Sequence, residues 1–271
     1  SEAMLTNQFL SELIRKTVHN SAEIPEDAVQ LVETREAVEK LLKLDECVDL
    51  LVPRGSGELV KYIKDHSKIP VLGHTEGVCH EYVDVDADVN VAIAICYDAK
   101  VQYPAACNAM DTLLVHRDIA ESFLPQMAEK YREAHVELRG DKESRNIVRG
   151  LTEATEEDWG REYLDLILSI KIVNSVEEAI DHINRFGSHH TDGIVTRNEK
   201  NAHKFLRGVD SAVVLHNAST RFSDGYRFGM GAEVGISTQK THARGPVGLE
   251  GLVTYKYLVL GSGQVVSSYT V

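Results

Sequence analysis

The stretch Tyr103-Pro-Ala-Ala-Cys-Asn-Ala-Met-Asp-Thr112 places Cys107 in a turn of small residues. Upstream, residues 87–99 have the pattern of a helix, and downstream residues 113–116 have that of a short strand. Pro104 fixes its own φ and keeps Tyr103 out of the α region. The stretch therefore predicts a helix, a tight turn that carries a cysteine, and a strand.

Cys107 and Asn108 are the catalytic candidates. A thiolate is a strong nucleophile, and a free thiol titrates near about 8.5 unless its surroundings favour the anion. If residues 108–111 open a helical turn, its N–H groups would favour the thiolate and would hold an oxyanion. The alternative is that Cys107 is a small buried hydrophobic residue, as most free cysteines are.

Strands and helices alternate around this turn. The first part of the chain predicts helices at 5–19, 35–44 and 58–66, with Thr34 as an N-cap, and strands at 28–32, 48–52 and 69–72. Later residues predict helices at 118–134, capped by Asp118, at 176–186, ended by Gly187, and at 201–208. Strands are expected at 162–173, 211–217, 252–260 and 264–271, and a surface excursion at 140–161. This order predicts an open α/β sheet.

Composition excludes several classes of protein. The chain has 271 residues, of which 43% are hydrophobic and 26% charged, enough for one large or two modest domains. A net charge of −13 argues against nucleic acid and anionic membranes as partners. No apolar run reaches about 18 residues, so no membrane span is predicted. Four cysteines without a C-x-x-C pair favour a reducing compartment, and His74, Cys79 and His80 lack the spacing of a zinc site.

Four separate motifs resemble gamma-glutamyl phosphate reductase, a branch of the aldehyde dehydrogenase superfamily that also forms the C-terminal half of delta-1-pyrroline-5-carboxylate synthase. They are residues 73–84, 103–116, 176–194 and 242–248. The resemblance implies an aldehyde dehydrogenase-like α/β fold. It divides the chain into a partial NADPH-binding domain (1–98), a catalytic domain (99–248) and a C-terminal oligomerisation ribbon (249–271).

The resemblance also implies roles for residues outside the turn. Glu162, Arg54 and Gly55 become candidates for the cofactor site. The candidates for the substrate site are Arg221, Asn217, Ser219, Thr220, His190 and Arg244. Several have a plainer interpretation: Arg54-Gly55 as a tight turn, Glu162 as a strand-edge carboxylate, His190 as a structural histidine, and the arginines as members of surface ion pairs.

The reaction implied is the NADPH-dependent reduction of L-glutamyl 5-phosphate in proline biosynthesis. Relatives that hydrolyse their thioester carry a Glu-Leu-Gly-Gly motif, and Leu72-Gly-His offers no such glutamate. A hydrolytic aldehyde dehydrogenase and a non-catalytic assembly fragment remain alternatives, the second because Ser1-Glu-Ala matches the middle of the cofactor domain. We expect a homodimer or larger homo-oligomer, with an upstream glutamate kinase domain as an option, in the cytoplasm or in mitochondria.

Overall fold

The computed structural model describes residues 3–22 and 24–269, and the chain separates into compact units at residues 1–75 and 76–271. The sequence placed the boundary at 98/99 instead. The difference arises because β1 (Cys79–Val83) and α4 (Val89–Val101) belong to the sheet and core of the second unit. The functional labels given to the domains stay predictions, and the predictions at residues 1, 2, 270 and 271 lie outside the described residues.

The first unit contains three helices, α1 (Met4–Ala22), α2 (Arg35–Leu41) and α3 (Gly57–His66). Thr34 caps α2 as predicted, because its hydroxyl accepts a hydrogen bond from the Ala37 N–H at 3.1 Å. The helix predicted at 5–19 is confirmed by α1, but its apolar face is not buried: Leu5 is 82% and Phe9 64% exposed.

Three strands predicted in this unit are wrong. Residues 28–32 follow a short 3-10 turn (Glu26–Ala28) and continue as mostly exposed, unpaired chain. Residues 48–52 and 69–72 share only one parallel bridge, between Leu51 and Val71. Among residues 3–22 and 24–75, no β-ladder longer than this single bridge is present. Apolar composition favours an extended backbone, but a strand also requires a neighbour whose N–H and C=O groups pair with it.

The second unit is built on a parallel sheet of seven strands in the order β4-β3-β5-β2-β1-β6-β7. The remaining strands of this sheet are β2 (Met110–His116), β3 (Glu137–Gly140), β4 (Thr152–Glu153), β5 (Ile167–Val173), β6 (Thr191–Val195) and β7 (Val213–His216). A two-stranded antiparallel ribbon follows, β8 (Ile236–Ser237) and β9 (Gly245–Pro246). The central strands β1 and β6 are buried throughout, as expected of parallel strands covered on both faces.

Helices cover the sheet and are set by local caps. They are α5 (Arg117–Glu133), α6 (Lys142–Ile147), α7 (Val176–Phe186) and α8 (Glu199–Gly208), in addition to α4. Asp88 caps α4 through the N–H groups of Asn90 and Val91. A large apolar core joins α4 and α5 to the sheet, and a second cluster lies beneath α7 and α8. The described part of the chain holds no helix long and apolar enough to cross a membrane.

Three further sequence predictions need correction. His116, not Asp118, caps α5, because the His116 ring accepts from the Asp118 N–H at 3.2 Å. Residues 140–161 are not a surface excursion: they contain α6 and β4, and Trp159 is buried. Residues 252–260 and the described part of 264–271 form no strand, since their side chains are mostly exposed and no neighbouring backbone pairs with them among the described residues.

Candidate active site

Cys107 lies at the amino edge of the parallel sheet. It precedes β2, and all neighbouring strands run in the same direction, so the residues that precede β1, β5 and β6 gather at this edge. Ligands of open α/β folds commonly bind at the carboxyl ends of the strands, where Asn217 follows β7. Cys107 lies at the opposite edge, because the chain reaches it before β2 begins, in the order that the sequence predicts.

Two backbone hydrogen bonds close the turn around Cys107. The Ala106 N–H donates to the Tyr103 carbonyl at 3.2 Å, and the Ala109 N–H donates to the Ala106 carbonyl at 2.9 Å. The chain then enters β2 directly at Met110, so residues 108–111 do not open a helical turn. The cysteine therefore receives no help from a helix dipole, contrary to the sequence-based expectation.

Gly77 packs directly against the backbone of Cys107. A Cβ atom at position 77 would lie 2.1 Å from the Cys107 carbonyl oxygen and 2.9 Å from its Cα. The buried thiol of Cys79 reaches the same carbonyl at 3.3 Å. The residues at the amino end of β1 thus pack against the turn, and only glycine fits at position 77.

His190 contributes an imidazole to this site. It is fully buried just before β6, and a ring nitrogen lies within 4.8 Å of the Cys107 sulfur. Its Nδ1 is 3.0 Å from the Thr191 hydroxyl and 3.7 Å from the Cys79 sulfur. His190 was predicted to belong to the site, and the structure places it beside the cysteine.

The environment keeps Cys107 protonated. Burial is the main cause that raises the pKa of its thiol to about 11, and the carboxylates of Glu162 and Glu233 add to the effect. The backbone N–H of Cys107 and the charge of Arg221 act in the opposite direction. A thiolate is therefore not the resting state in this chain, and deprotonation must accompany attack.

Arg221 and Asn108 connect the cysteine turn to the segment after β7. The Arg221 guanidinium donates through Nη1 to the Asn108 side-chain oxygen and through Nε to Gln102 Oε1 at 2.9 Å. The Asn108 amide donates to the Ser223 carbonyl at 2.7 Å. The side chain of Asn108 is therefore fully engaged in holding the turn, whereas Arg221 is half-buried next to the thiol and contributes positive charge there.

Glu162 reaches the site from the segment that leads into β5. Its Oε1 accepts a hydrogen bond from the Gly77 N–H at 3.0 Å, so it contacts the residue that supports Cys107. Burial raises the pKa of this carboxyl. Glu162 also lines a surface pocket with Glu76, Gly160 and Arg161. It is not a solvated strand-edge carboxylate, which was the plainer interpretation.

Four residues predicted for the substrate site have hydrogen-bond or ion-pair partners within the protein. Asn217 lies beyond the carboxyl end of β7 and bonds both backbone groups of Thr196. The Ser219 hydroxyl caps a 3-10 turn, and the Thr220 N–H donates to the buried Glu81 at 2.9 Å. Arg244 pairs with Asp210 at 3.1 Å. None of these contacts involves Cys107, and the role of these four residues at a substrate site stays a prediction.

Arg54 and Gly55 belong to the first unit. The Arg54 guanidinium donates to the neighbouring Pro53 carbonyl at 3.1 Å, and Gly55 has a φ of +146°, which favours glycine. Both observations fit a tight turn. Their role at a cofactor site stays a prediction.

Sequence reasoning missed two supporting groups. Gly77 lies within the motif at residues 73–84, yet its packing against Cys107 depends on the fold, since they are thirty positions apart. Lys100 and Asp111 flank the cysteine turn and form an ion pair that is almost completely buried. The sequence feature that could have revealed this pair is the presence of opposite charges at the two ends of the turn.

Comparison with known proteins gives a consistent family. The aldehyde dehydrogenase family model matches residues 2–150. Gamma-glutamyl phosphate reductase of Methanosarcina acetivorans is 59% identical over 274 residues, which cover 99% of this chain and 61% of the relative. The corresponding protein of Natronomonas pharaonis is 58% identical over 270 residues, with the same coverage. The chain thus spans about three fifths of the length of these curated relatives.

Solved structures agree with this relationship. Gamma-glutamyl phosphate reductase of Thermotoga maritima matches with a TM-score of 0.94 at 45% identity, covering 97% of this chain and 64% of that one. A propionaldehyde dehydrogenase of Clostridium phytofermentans matches with a TM-score of 0.65 at 15% identity, over 91% of this chain and 64% of its own. The second match concerns the fold alone.

Proposed function

Because the chain belongs to the aldehyde dehydrogenase family, we propose that the protein is a gamma-glutamyl phosphate reductase. It reduces L-glutamyl 5-phosphate to L-glutamate 5-semialdehyde with NADPH, releases phosphate, and serves proline biosynthesis. The observation that carries the proposal is the Cys107 turn, held against Gly77 with His190, Glu162 and Arg221 around it. The curated relatives with that name support it.

Cys107 is the nucleophile of the proposed reaction. Its sulfur attacks the acyl carbonyl of the substrate, a sulfur–carbon bond forms, and the bond to the phosphate oxygen breaks. Phosphate is a good leaving group, so the site needs no strong acid to protonate it. The product of this step is a thioester on Cys107, and the Cys107 backbone N–H is suited to stabilise the oxyanion that precedes it.

The raised pKa of Cys107 requires a proton acceptor. His190 offers an imidazole beside the thiol, and a ring nitrogen within 4.8 Å of the sulfur is close enough for one water molecule to bridge the gap. Arg221 places a positive charge near the sulfur, which stabilises the thiolate as it forms. These two residues make a nucleophile available in spite of the burial that disfavours it.

The surroundings of Glu162 fit a nicotinamide cofactor. Only Oε1 has a hydrogen bond among the described residues, to Gly77, and the carboxylate borders a surface pocket, so its second oxygen can accept a ribose hydroxyl. NADPH, when bound, supplies the hydride that reduces the thioester. Cys107 then leaves as the thiolate and the aldehyde is released.

Other features of the proposal concern assembly. Residues 249–271 keep the proposed oligomerisation role, because Tyr255, Tyr257 and Leu258 are each more than three quarters exposed in the single chain. We propose a cytoplasmic homo-oligomer on this basis and on the relatives' prokaryotic sources.

Phosphate dependence tests the function. In the reverse direction the protein should reduce NADP with glutamate semialdehyde only when phosphate is present, and the Cys107→Ala variant should be inactive with an unchanged circular dichroism spectrum. Oxidation of the aldehyde at full rate without phosphate would instead indicate a hydrolytic dehydrogenase. Absence of activity in the folded native protein would refute the proposal.

A further inference from the structure

A buried ion pair spans the Cys107 turn. Lys100 lies near the end of α4, seven positions before the cysteine, and Asp111 is the second residue of β2, four positions after it. Lys100 Nζ and Asp111 Oδ1 are 3.6 Å apart, and their side chains are 0% and 3% exposed. The described residues contain no second Lys–carboxylate pair buried to this extent.

Asp111 also holds a third segment. Its Oδ1 accepts a hydrogen bond from the Tyr163 N–H at 3.2 Å, and the Lys100 ammonium lies 5.9 Å from the centre of the Tyr163 ring. Tyr163 follows Glu162, whose carboxylate accepts the Gly77 N–H, and Gly77 packs on the Cys107 backbone. The contacts therefore form a closed path from Asp111 through residues 162–163 and Gly77 back to Cys107.

Burial of two opposite charges is an expensive way to join two segments. Desolvation of the two charges opposes their burial, and apolar side chains of similar volume would join the segments with a smaller loss of free energy. Burial lowers the pKa of Lys100 and raises that of Asp111, and their mutual attraction opposes both shifts. A pair of this kind fixes one geometry, because any relative movement of the two segments separates charges in a medium of low polarity.

We propose that Lys100 and Asp111 are positioning residues for the nucleophile: their ion pair sets the position of Cys107 relative to Gly77 and Glu162. Neither residue contacts Cys107, so they act through the backbone of the turn and through Tyr163. The catalytic consequence rests on the proposed function, whereas the placement of the thiol does not and can be measured without substrate.

The test is alkylation of Cys107 by iodoacetamide, followed by peptide mass spectrometry. Cys47 is exposed and lies in the first unit, so it serves as an internal standard. In Lys100→Met and Asp111→Asn one charge remains without its partner. We expect the loosened turn to expose the thiol and raise the Cys107/Cys47 rate ratio by at least about threefold, and turnover in the phosphate-dependent assay to fall.

Two further variants make the result decisive. Asp84→Asn alters an equally buried aspartate at the opposite end of β1, bound by Tyr82 and Thr196, and it should lower stability without changing the ratio. The Lys100→Met/Asp111→Asn double variant leaves no unpaired charge and should give a ratio between those of the single and native proteins. If the single variants do not fold, the double variant still decides the question.

Two results would overturn the proposal. In the first, the single variants fold and have lower unfolding temperatures, as Asp84→Asn does, but their Cys107/Cys47 rate ratio equals that of the native protein. The pair would then stabilise the fold without positioning the thiol. The other is a native ratio in the double variant. Unchanged alkylation would refute the positioning role even if the reductase activity were confirmed, and altered alkylation would support it even if that activity were absent.

Discussion

Substitution of Gly77 by alanine should displace the nucleophile by a calculable amount. The added Cβ would lie 2.1 Å from the Cys107 carbonyl oxygen and 2.8 Å from its carbonyl carbon, whereas real contacts of this kind stay beyond 3.0 Å. The neighbour is backbone and cannot rotate away, so Cys107 must move by roughly 1 Å. A misplacement of about 1 Å can lower turnover by roughly a hundredfold, while overpacking costs about 1–3 kcal/mol of stability.

Gly208→Ala is the matched control for this prediction. A Cβ at position 208 meets only the side chain of Ile180, at 3.0 Å, and this side chain can adjust. We expect Gly208→Ala to retain turnover within about twofold, since a helical alanine is intrinsically favourable. The assay is phosphate-dependent NADP reduction, with unfolding temperature measured in parallel. Native turnover in folded Gly77→Ala would refute the inference that the Gly77 contact fixes Cys107.

Three further predictions concern charges around the thiol. Glu162→Gln removes a negative charge worth roughly 1 kcal/mol, so the pKa of Cys107 should fall and its alkylation at pH 8 should accelerate about fivefold. Arg221→Gln should slow alkylation, because it removes the charge that favours the thiolate, and Arg221→Lys should restore most of the rate. Asp111 has a pKa that burial raises to about 6, so the native protein and Asp111→Asn should become more alike in Cys107 alkylation as the pH falls from 8 towards 6 and the aspartate is increasingly neutral.

The pH prediction also has a stability form with a definite sign. The folded pKa of Asp111 lies above its ordinary value of 3.8, so the folded chain holds this proton more tightly than the unfolded chain. Its contribution to stability is therefore present at low pH and is lost as the pH rises from 3.8 to about 6. Lys100, Glu162 and His80 face the same carboxyl, and urea unfolding of both proteins isolates its share.

Controls separate these charge effects from misfolding. Each variant should keep the native Cys47 alkylation rate, because Cys47 is exposed in the other unit. An unchanged Cys107 rate in Glu162→Gln would mean that the carboxylate does not act on the thiol. A rate in Arg221→Lys no better than in Arg221→Gln would assign Arg221 a geometric role through Asn108 instead of an electrostatic one.

Local signals predicted several elements of the second unit well, although the strands predicted at 252–260 and 264–271 do not form among the described residues. The helix–turn–strand unit around Cys107, the amphipathic α7 that ends at Gly187, and α8 all occur where the periodicity placed them. These elements carry strong apolar patterns, and the pattern matches their final burial. The strands of the first unit failed because pairing is a property of two segments, and a single stretch such as 48–52 carries no information about its partner.

The site was predicted unevenly for a similar reason. His190 and Glu162 were found through motifs and do lie beside Cys107. Asn217 and Arg244 were chosen through the resemblance; in the fold they bond Thr196 and Asp210, and their role at the site stays a prediction. The raised pKa of Cys107 was not foreseeable, because burial and the carboxylates that cause it come from segments distant in sequence.

The most direct test of the central claim is the covalent intermediate itself. The protein is incubated with glutamate semialdehyde and NADP in buffer free of phosphate, and the Cys107 peptide is analysed by mass spectrometry. We predict that a glutamyl thioester accumulates on Cys107, is released when phosphate is added, and is absent from the Cys107→Ala variant. Reduction of NADP with no adduct on Cys107, or release of the adduct at the same rate without phosphate, would contradict the account.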